Sequence, residues 1–212
     1  MTLKKKAGLA VAYLKRAYPG AICSLRYRDP FQLLVSVRLA AQCTDARVNL
    51  VTPALFARFP TPQAMALAPV EEVEALIRSC GFFRTKAKDL VGIGQALCEK
   101  HEGKVPESME ALTALPGVGR KTANLIRGDV FGLPAVVCDT HLIRITNLLG
   151  LVATKDPAKV EKQLIRLLDP AESNDFCHRC VLHGRAVCVA RRPKCSDCCL
   201  HEVCDYGQGN NS

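Results

Sequence analysis

Apolar residues recur along this chain every three or four positions, the spacing that gathers them on one face of an α-helix. No stretch alternates strictly enough for a strand, and no Asn-Gly pair marks a hairpin. Leu3, Ala7, Ala10 and Leu14 make the first stripe. "DPFQLLVSVRLAAQ" opens with Asp29 as N-cap and Pro30 at the first helical position. Thr44 caps "TDARVNLVTPALFARF", in which Pro53 must kink the helix or start a new one. "PVEEVEALIRSCG" has acids in its first turn and is expected to end at Gly81. In "TKAKDLVGIGQALCEKHEG" the stripe is Ala87, Leu90, Leu97 and Cys98, with a stop at Gly103. Ser108 caps the short "SMEALTAL", which runs through "LPGVG" into a helix from Arg120 to Phe131. An extended link then leads to "DTHLIRITNLLG", "DPAKVEKQLIRLL" and "NDFCHRCVLHGRAVC", each helical by the same criteria, and the tail "YGQGNNS" reads as disordered. The pattern predicts an all-α protein of roughly ten short helices, without internal repeats.

Charge narrows the class of partner. Lys and Arg number 29 against 20 Asp and Glu, a net +9 on 212 residues, which suits a polyanion. The apolar part of the basic N-terminus is interrupted by Lys15 and Arg16 and keeps helical spacing, so it reads as a helix and not a signal peptide. No apolar run is long enough for a membrane span, and a cytoplasmic protein is expected.

The 12 cysteines are unevenly placed. Five are scattered before residue 139 in apolar patterns that fit buried thiols, and seven crowd between Cys177 and Cys204. Within the crowd, Cys188, Cys195, Cys198 and Cys204 are separated by six, two and five residues. Zinc usually takes two close pairs, and only one such pair falls here; an iron–sulfur cluster suits the unequal spacing at least as well. Spacing alone leaves that choice open, with Cys177, Cys180 and Cys199 spare.

In "ALPGVGRKTANLI" a cationic pair, Arg120 and Lys121, sits in the first turn of a helix, where the helix dipole disfavours cations. Pro116, Gly117, Val118 and Gly119 form a glycine turn whose amides, with the free N–H groups of the helix, can approach a phosphate. Gly117 and Gly119 are expected to need conformations that a Cβ would obstruct. At 100° per residue Lys121 lies nearly opposite the stripe of Ala123, Ile126 and Val130, beside Leu125 and Gly128. Desolvation there, with Arg120 and the helix end, would favour a neutral, nucleophilic amine. Asp139 stands where an N-cap belongs, which holds a carboxylate ionised and in place.

"LPGVGRKTAN" followed by "VCDTH" resembles the endonuclease III family of DNA repair glycosylases, within the helix-hairpin-helix superfamily, and the similarity runs from about residue 22 through the last cysteine. The resemblance implies that Lys121 attacks the sugar C1′ of a damaged nucleotide and that Asp139 assists. It implies a [4Fe-4S] cluster on Cys188, Cys195, Cys198 and Cys204, with Arg191, Arg192 and Lys194 of the intervening "VARRPK" turned toward phosphates. Gln42 in "AAQCTD" and Phe82 in "SCGFFRTKA" match the positions that fill the gap left by an extruded base, although an aliphatic residue is commoner at the second. His141 and Asp45 are expected nearby.

The expected organisation is two helical domains: residues 22–133 with the hairpin, and residues 1–21 plus 134–212 with the cluster, Lys121 and Asp139 facing each other across a cleft. The expected function is excision of oxidised pyrimidines from double-stranded DNA, with cleavage at abasic sites by β-elimination through a Lys121 Schiff base. The protein would be a monomer associated with the nucleoid. Alternatives are a monofunctional mismatch glycosylase, a non-catalytic hairpin DNA-binding module and an electron carrier; the last leaves Lys121 unexplained.

Overall fold

The computed structural model describes residues 1–209, so Asn210, Asn211 and Ser212 of the expected disordered tail lie outside the described residues. Within the rest of that tail, Tyr206 N–H donates to Leu148 O and Gln208 Nε2 to His201 O, so the chain is hydrogen-bonded there. Eleven α-helices are present among the described residues: α1 Leu3–Ala17, α2 Pro30–Ala40, α3 Asp45–Arg58, α4 Pro62–Ala66, α5 Val70–Leu76, α6 Phe83–His101, α7 Met109–Thr113, α8 Arg120–Phe131, α9 Thr140–Leu148, α10 Pro157–Leu167 and α11 Ser173–Ala186. Short 3-10 turns are the only other regular elements among these residues, and no strand occurs.

Side-chain caps set many of the boundaries. Asp29, Thr44, Thr61, Ser108, Asp139 and Asp156 each accept the N–H three residues on, which satisfies one of the donors that a helix start leaves free. Of the two alternatives for Pro53, a new helix is excluded, since it lies inside α3. One expectation needed correction. Helix α5 stops at Leu76 and not at Gly81, because Ile77 is drawn fully into the core and the chain turns through Cys80. The five-residue α4 is too short to leave a periodic stripe in the sequence.

The chain forms two compact units, residues 1–22 with Gly132 onward, and Cys23–Phe131. In the second, α6 is the hub: Leu90, Ile93 and Leu97 are fully buried with Leu33, Leu34 and Leu39 of α2, Leu55 of α3 and Ile126 of α8. Each such side chain contributes about 1.5–3 kcal/mol by leaving water. Gly94 lets α4 press onto α6, since a Cβ there would lie 2.6 Å from Ala66 N. In the other unit Ala7, Ala10 and Leu14 of α1, Leu142 and Ile145 of α9, Val160 and Leu164 of α10 and Phe176 of α11 are buried. Lys6 ties α1 to the end of that unit, donating to Leu149 O and pairing with Asp205.

Candidate DNA-repair site and cysteine centre

Helices α7 and α8 are joined by the glycine turn. Leu112, Leu115 and Val118 anchor it in the core, and Val118 N–H donates to Leu115 O at 3.2 Å. The Val118 side chain therefore packs inward, which leaves only its backbone on the turn. Gly117 has φ +67°, and a Cβ there would fall 2.2 Å from Arg38 Nε and 2.6 Å from Asp89 Oδ2, two side chains that form an ion pair beneath the turn. Gly119 differs from the expectation: its φ is not left-handed, and a Cβ would meet nothing within 4 Å. Only Gly117 is required by the fold. The space over Gly119, next to the start of α8, is open for an approaching anion.

Lys121 stands exposed in the first turn of α8, away from buried Ala123 and Ile126. Half-buried Leu125 and buried Gly128 share its side of the helix, yet the chain by itself does not shield the amine. The expected partial desolvation is thus absent from the protein alone.

Gln42 and Phe82 share an unusual backbone. Both are non-glycine residues in the left-handed region, with φ 52° and 57°, and both are exposed, Phe82 by 68%. Such conformations are costly for side-chain-bearing residues and concentrate at functional sites. Phe82 is no core residue. Beneath them Lys86 of α6, almost wholly buried, donates from Nζ to Leu39 O at 2.8 Å and so fixes the end of α2 from which Gln42 emerges. Burial, with Arg38 adding to it, lowers the Lys86 pKa. Sequence reasoning missed Lys86; the signal was a lysine one position from the apolar stripe of its helix. Asp45 caps nothing but accepts from the Ser24 hydroxyl at 2.5 Å.

Asp139 is the N-cap of α9, its Oδ1 accepting Leu142 N–H at 2.7 Å, and it is half-buried. One turn on, His141 Nδ1 lies 3.3 Å from Arg144 Nη2, which also donates to Gly184 O and Cys188 O. Gly184 makes this possible, for a Cβ there would sit 2.5 Å from His141 Nδ1. His141 is thus engaged with α11 and the cysteine-rich loop.

Cys188, Cys195, Cys198 and Cys204 line a single cavity with Leu148, Val187, Pro193 and Tyr206. Cys199 is not among the residues that line it, and Cys177 is used elsewhere, accepting Val137 N–H and donating to Ser173 O. Among the described residues no three of His, Cys, Asp and Glu converge tightly enough to hold a single metal ion. Burial pushes the Cys198 thiol up to about 11, and raises those of Cys188 and Cys204. Four thiols gathered on one cavity are a donor set that a cationic iron–sulfur group could hold as thiolates. Leu200 N–H donates to Cys198 Sγ at 3.4 Å, and His183 Nε2 lies 3.3 Å from it. His183 Nδ1 meets the Tyr18 hydroxyl at 3.1 Å, and burial, with Arg144 second, lowers the His183 pKa to about 4. Arg191, Arg192 and Lys194 are exposed on the loop between the first two cysteines.

The hairpin, its lysine, the capping aspartate and the thiol-lined cavity together define a class. The chain belongs to the HhH-GPD superfamily of base excision DNA repair proteins, whose family model matches residues 35–170. Its relatives place it in the endonuclease III family. It is 46% identical over 208 residues to Endonuclease III of Synechocystis sp., covering 98% of this chain and 95% of the relative. To Endonuclease III of Escherichia coli K12 it is 40% identical over 194 residues, 91% and 92% of the two chains. A solved structure of a trapped Endonuclease III–DNA covalent intermediate superposes with a TM-score of 0.92 at 39% identity, over 99% of each chain. No helix among the described residues is long and apolar enough to cross a membrane.

Proposed function

We propose that this protein is a base excision repair glycosylase with abasic-site lyase activity, acting on oxidised pyrimidines in duplex DNA. The observation that carries it is Lys121, an exposed amine in the first turn of α8, directly after a turn whose outer side is open. Membership of a family with a trapped covalent DNA intermediate supports the same reading. Phosphate contacts at the start of α8 answer the charge puzzle there, because the helix end and Arg120 then meet an anion while Lys121 acts as the nucleophile. Bound DNA would also supply the shielding from water that the chain alone does not.

In the reaction, the Lys121 amine attacks C1′, the base leaves with the electron pair of the glycosidic bond, and the nitrogen gives up a proton. The C1′–O4′ bond then opens, leaving a hydroxyl at C4′ and an imine at C1′. The imine makes a C2′ proton acidic, and its loss expels the 3′ phosphate by β-elimination. Asp139, oriented by its cap to Leu142 N–H, offers a fixed carboxylate to the positive charge that develops on the sugar. Gln42 and Phe82, exposed on strained backbone, fill the space left by the extruded nucleotide. His141 acts by holding Arg144 against the loop.

Cys188, Cys195, Cys198 and Cys204 would hold a [4Fe-4S] cluster, whose chemistry here is structural, binding the loop so that Arg191, Arg192 and Lys194 meet phosphates. Their common cavity supports this ligand set over one that uses Cys199 or Cys177. A monomer in contact with the nucleoid fits the +9 charge.

Borohydride added during turnover tests the assignment. It should reduce the imine and join protein to DNA, with the adduct mapped to the peptide that contains Lys121. Lys121→Gln should bind DNA and form no adduct. A crosslink on another lysine would reject the reading.

A further inference from the structure

Two cysteines outside the C-terminal group sit on adjoining loops. Burial, with the neighbouring Cys43 second, pushes the Cys80 thiol up to about 11; Cys43 is half-buried and Cys80 only 1% exposed. Each belongs to one of the two strained loops: Cys43 follows Gln42, and Cys80 lies two residues before Phe82. The loops pack closely, since a Cβ on Gly81 would lie 3.4 Å from Gln42 O. Neither cysteine is locked inside a helix; their N–H groups close turns to Ala40 O and Ile77 O. Lys86 stands near both sulfurs and Arg47 near Cys80, which partly offsets the burial. A partly exposed thiol with a second thiol beside it to resolve it is the arrangement of a redox-sensitive dithiol. Nothing in the repair chemistry uses either group.

We propose that Cys43 and Cys80 form a reversible disulfide on exposure to hydrogen peroxide, and that this bond locks together the loops that present Gln42 and Phe82. Cys43 sulfur attacks one peroxide oxygen, the O–O bond breaks, one water leaves, and Cys43 becomes a sulfenic acid. Cys80 sulfur then attacks Cys43 sulfur, the S–O bond breaks and a second water leaves. The two thiols give up two hydrogens and two electrons, which reduce the peroxide to two waters. A dithiol reductant reverses the step by exchange. An S–S bond of about 2.05 Å is much shorter than a contact between thiols, so the loops are drawn together and cannot part around a duplex. This consequence rests on the proposed role of Gln42 and Phe82; formation of the bond does not.

The test uses the intact protein. After hydrogen peroxide, free thiols are alkylated with iodoacetamide and the chain is cut with trypsin without reduction. Cleavage after Arg38, Arg47, Arg78 and Arg84 releases residues 39–47 and 79–84, each with one cysteine. The expected product is these two peptides joined, two hydrogens lighter than their sum, and separated by dithiothreitol. Both peptides alkylated after oxidation, or either joined to another cysteine, would overturn the proposal. Affinity for a duplex with an abasic-site analogue should fall about tenfold on oxidation and return with dithiothreitol, a change of about 1.4 kcal/mol. Cys43→Ser and Cys80→Ser should show no such fall. An equal loss in Cys43→Ser, or no loss in oxidised protein that carries the linked peptides, would overturn the switch. If Gln42→Ala and Phe82→Ala bind DNA as the parent does, the reading of those residues fails while the linked peptides stand.

Discussion

Replacing Gly117 with alanine adds a methyl group at a left-handed position directly above the Arg38–Asp89 pair. Two costs can be separated. Alanine at φ +67° is disfavoured by about 1–2 kcal/mol. The new Cβ would also stand 2.2 Å from Arg38 Nε and 2.6 Å from Asp89 Oδ2, so the two side chains must part. They are only 13% and 19% exposed, and loss of a charged hydrogen bond at such a site costs about 1.5–3 kcal/mol. Together these predict a loss of about 2–5 kcal/mol. At roughly 2–4 °C per kcal/mol for a chain of this size, Tm should fall by about 5–20 °C. Gly119→Ala, two residues on in the same turn, is the paired control. Its Cβ meets nothing within 4 Å and its φ is ordinary, so stability should change by less than about 0.5 kcal/mol. Its methyl group would instead occupy the open side of the turn and weaken binding to damaged and undamaged duplex alike. Scanning calorimetry with fluorescence-anisotropy titration of both variants separates the effects. If Gly117→Ala melts like the parent, the turn geometry is wrong. If Gly119→Ala binds DNA like the parent, the turn does not meet phosphate.

Three further outcomes are expected. The purified protein should carry about four irons per chain; Cys198→Ser should lose them and Cys199→Ser keep them, by metal analysis and visible absorption, and stoichiometric zinc without iron in anaerobically prepared protein would reject the cluster. Asp139→Asn should keep the cap to Leu142 N–H and melt within about 1 kcal/mol of the parent, because Asn caps as well as Asp. It should still bind DNA, while single-turnover base release slows by about a hundredfold or more. Arg192→Ala should lower the salt slope of log K by about 0.9, the value for one lost phosphate contact, with the same effect on damaged and undamaged duplex.

Where the chain announces structure through local chemistry, the sequence is a faithful guide. The caps Asp29, Thr44, Ser108, Asp139 and Asp156 act on nearest neighbours and are readable one residue at a time. The all-helical class follows from the period of the apolar positions, and the repair family from "LPGVGRKTAN" and "VCDTH". What escaped depends on residues far apart in the chain. Arg38 meets Asp89 and lies against Gly117, Lys86 reaches Leu39 O, and Arg144 reaches Cys188 O, and none of these pairings leaves a local trace. The two glycines of the turn look equivalent in sequence, yet only Gly117 has a left-handed φ and side chains pressed against it. Burial is equally non-local: Val118 and Phe82 are both apolar residues of loops, yet the side chain of the first is in the core and that of the second is exposed.

Helix α9 links two ends of one unit. Its cap is Asp139, Arg144 midway donates to Cys188 O, and the Leu148 carbonyl near its far end receives Cys204 Sγ and Tyr206 N–H. Nine residues span about 13 Å, so the carboxylate and the thiol cavity are joined by a single rigid rod. Whatever loosens the cysteine loop at the lower end of that rod would therefore be felt by the aspartate at the upper end, and whatever clamps the loop would hold the carboxylate in place.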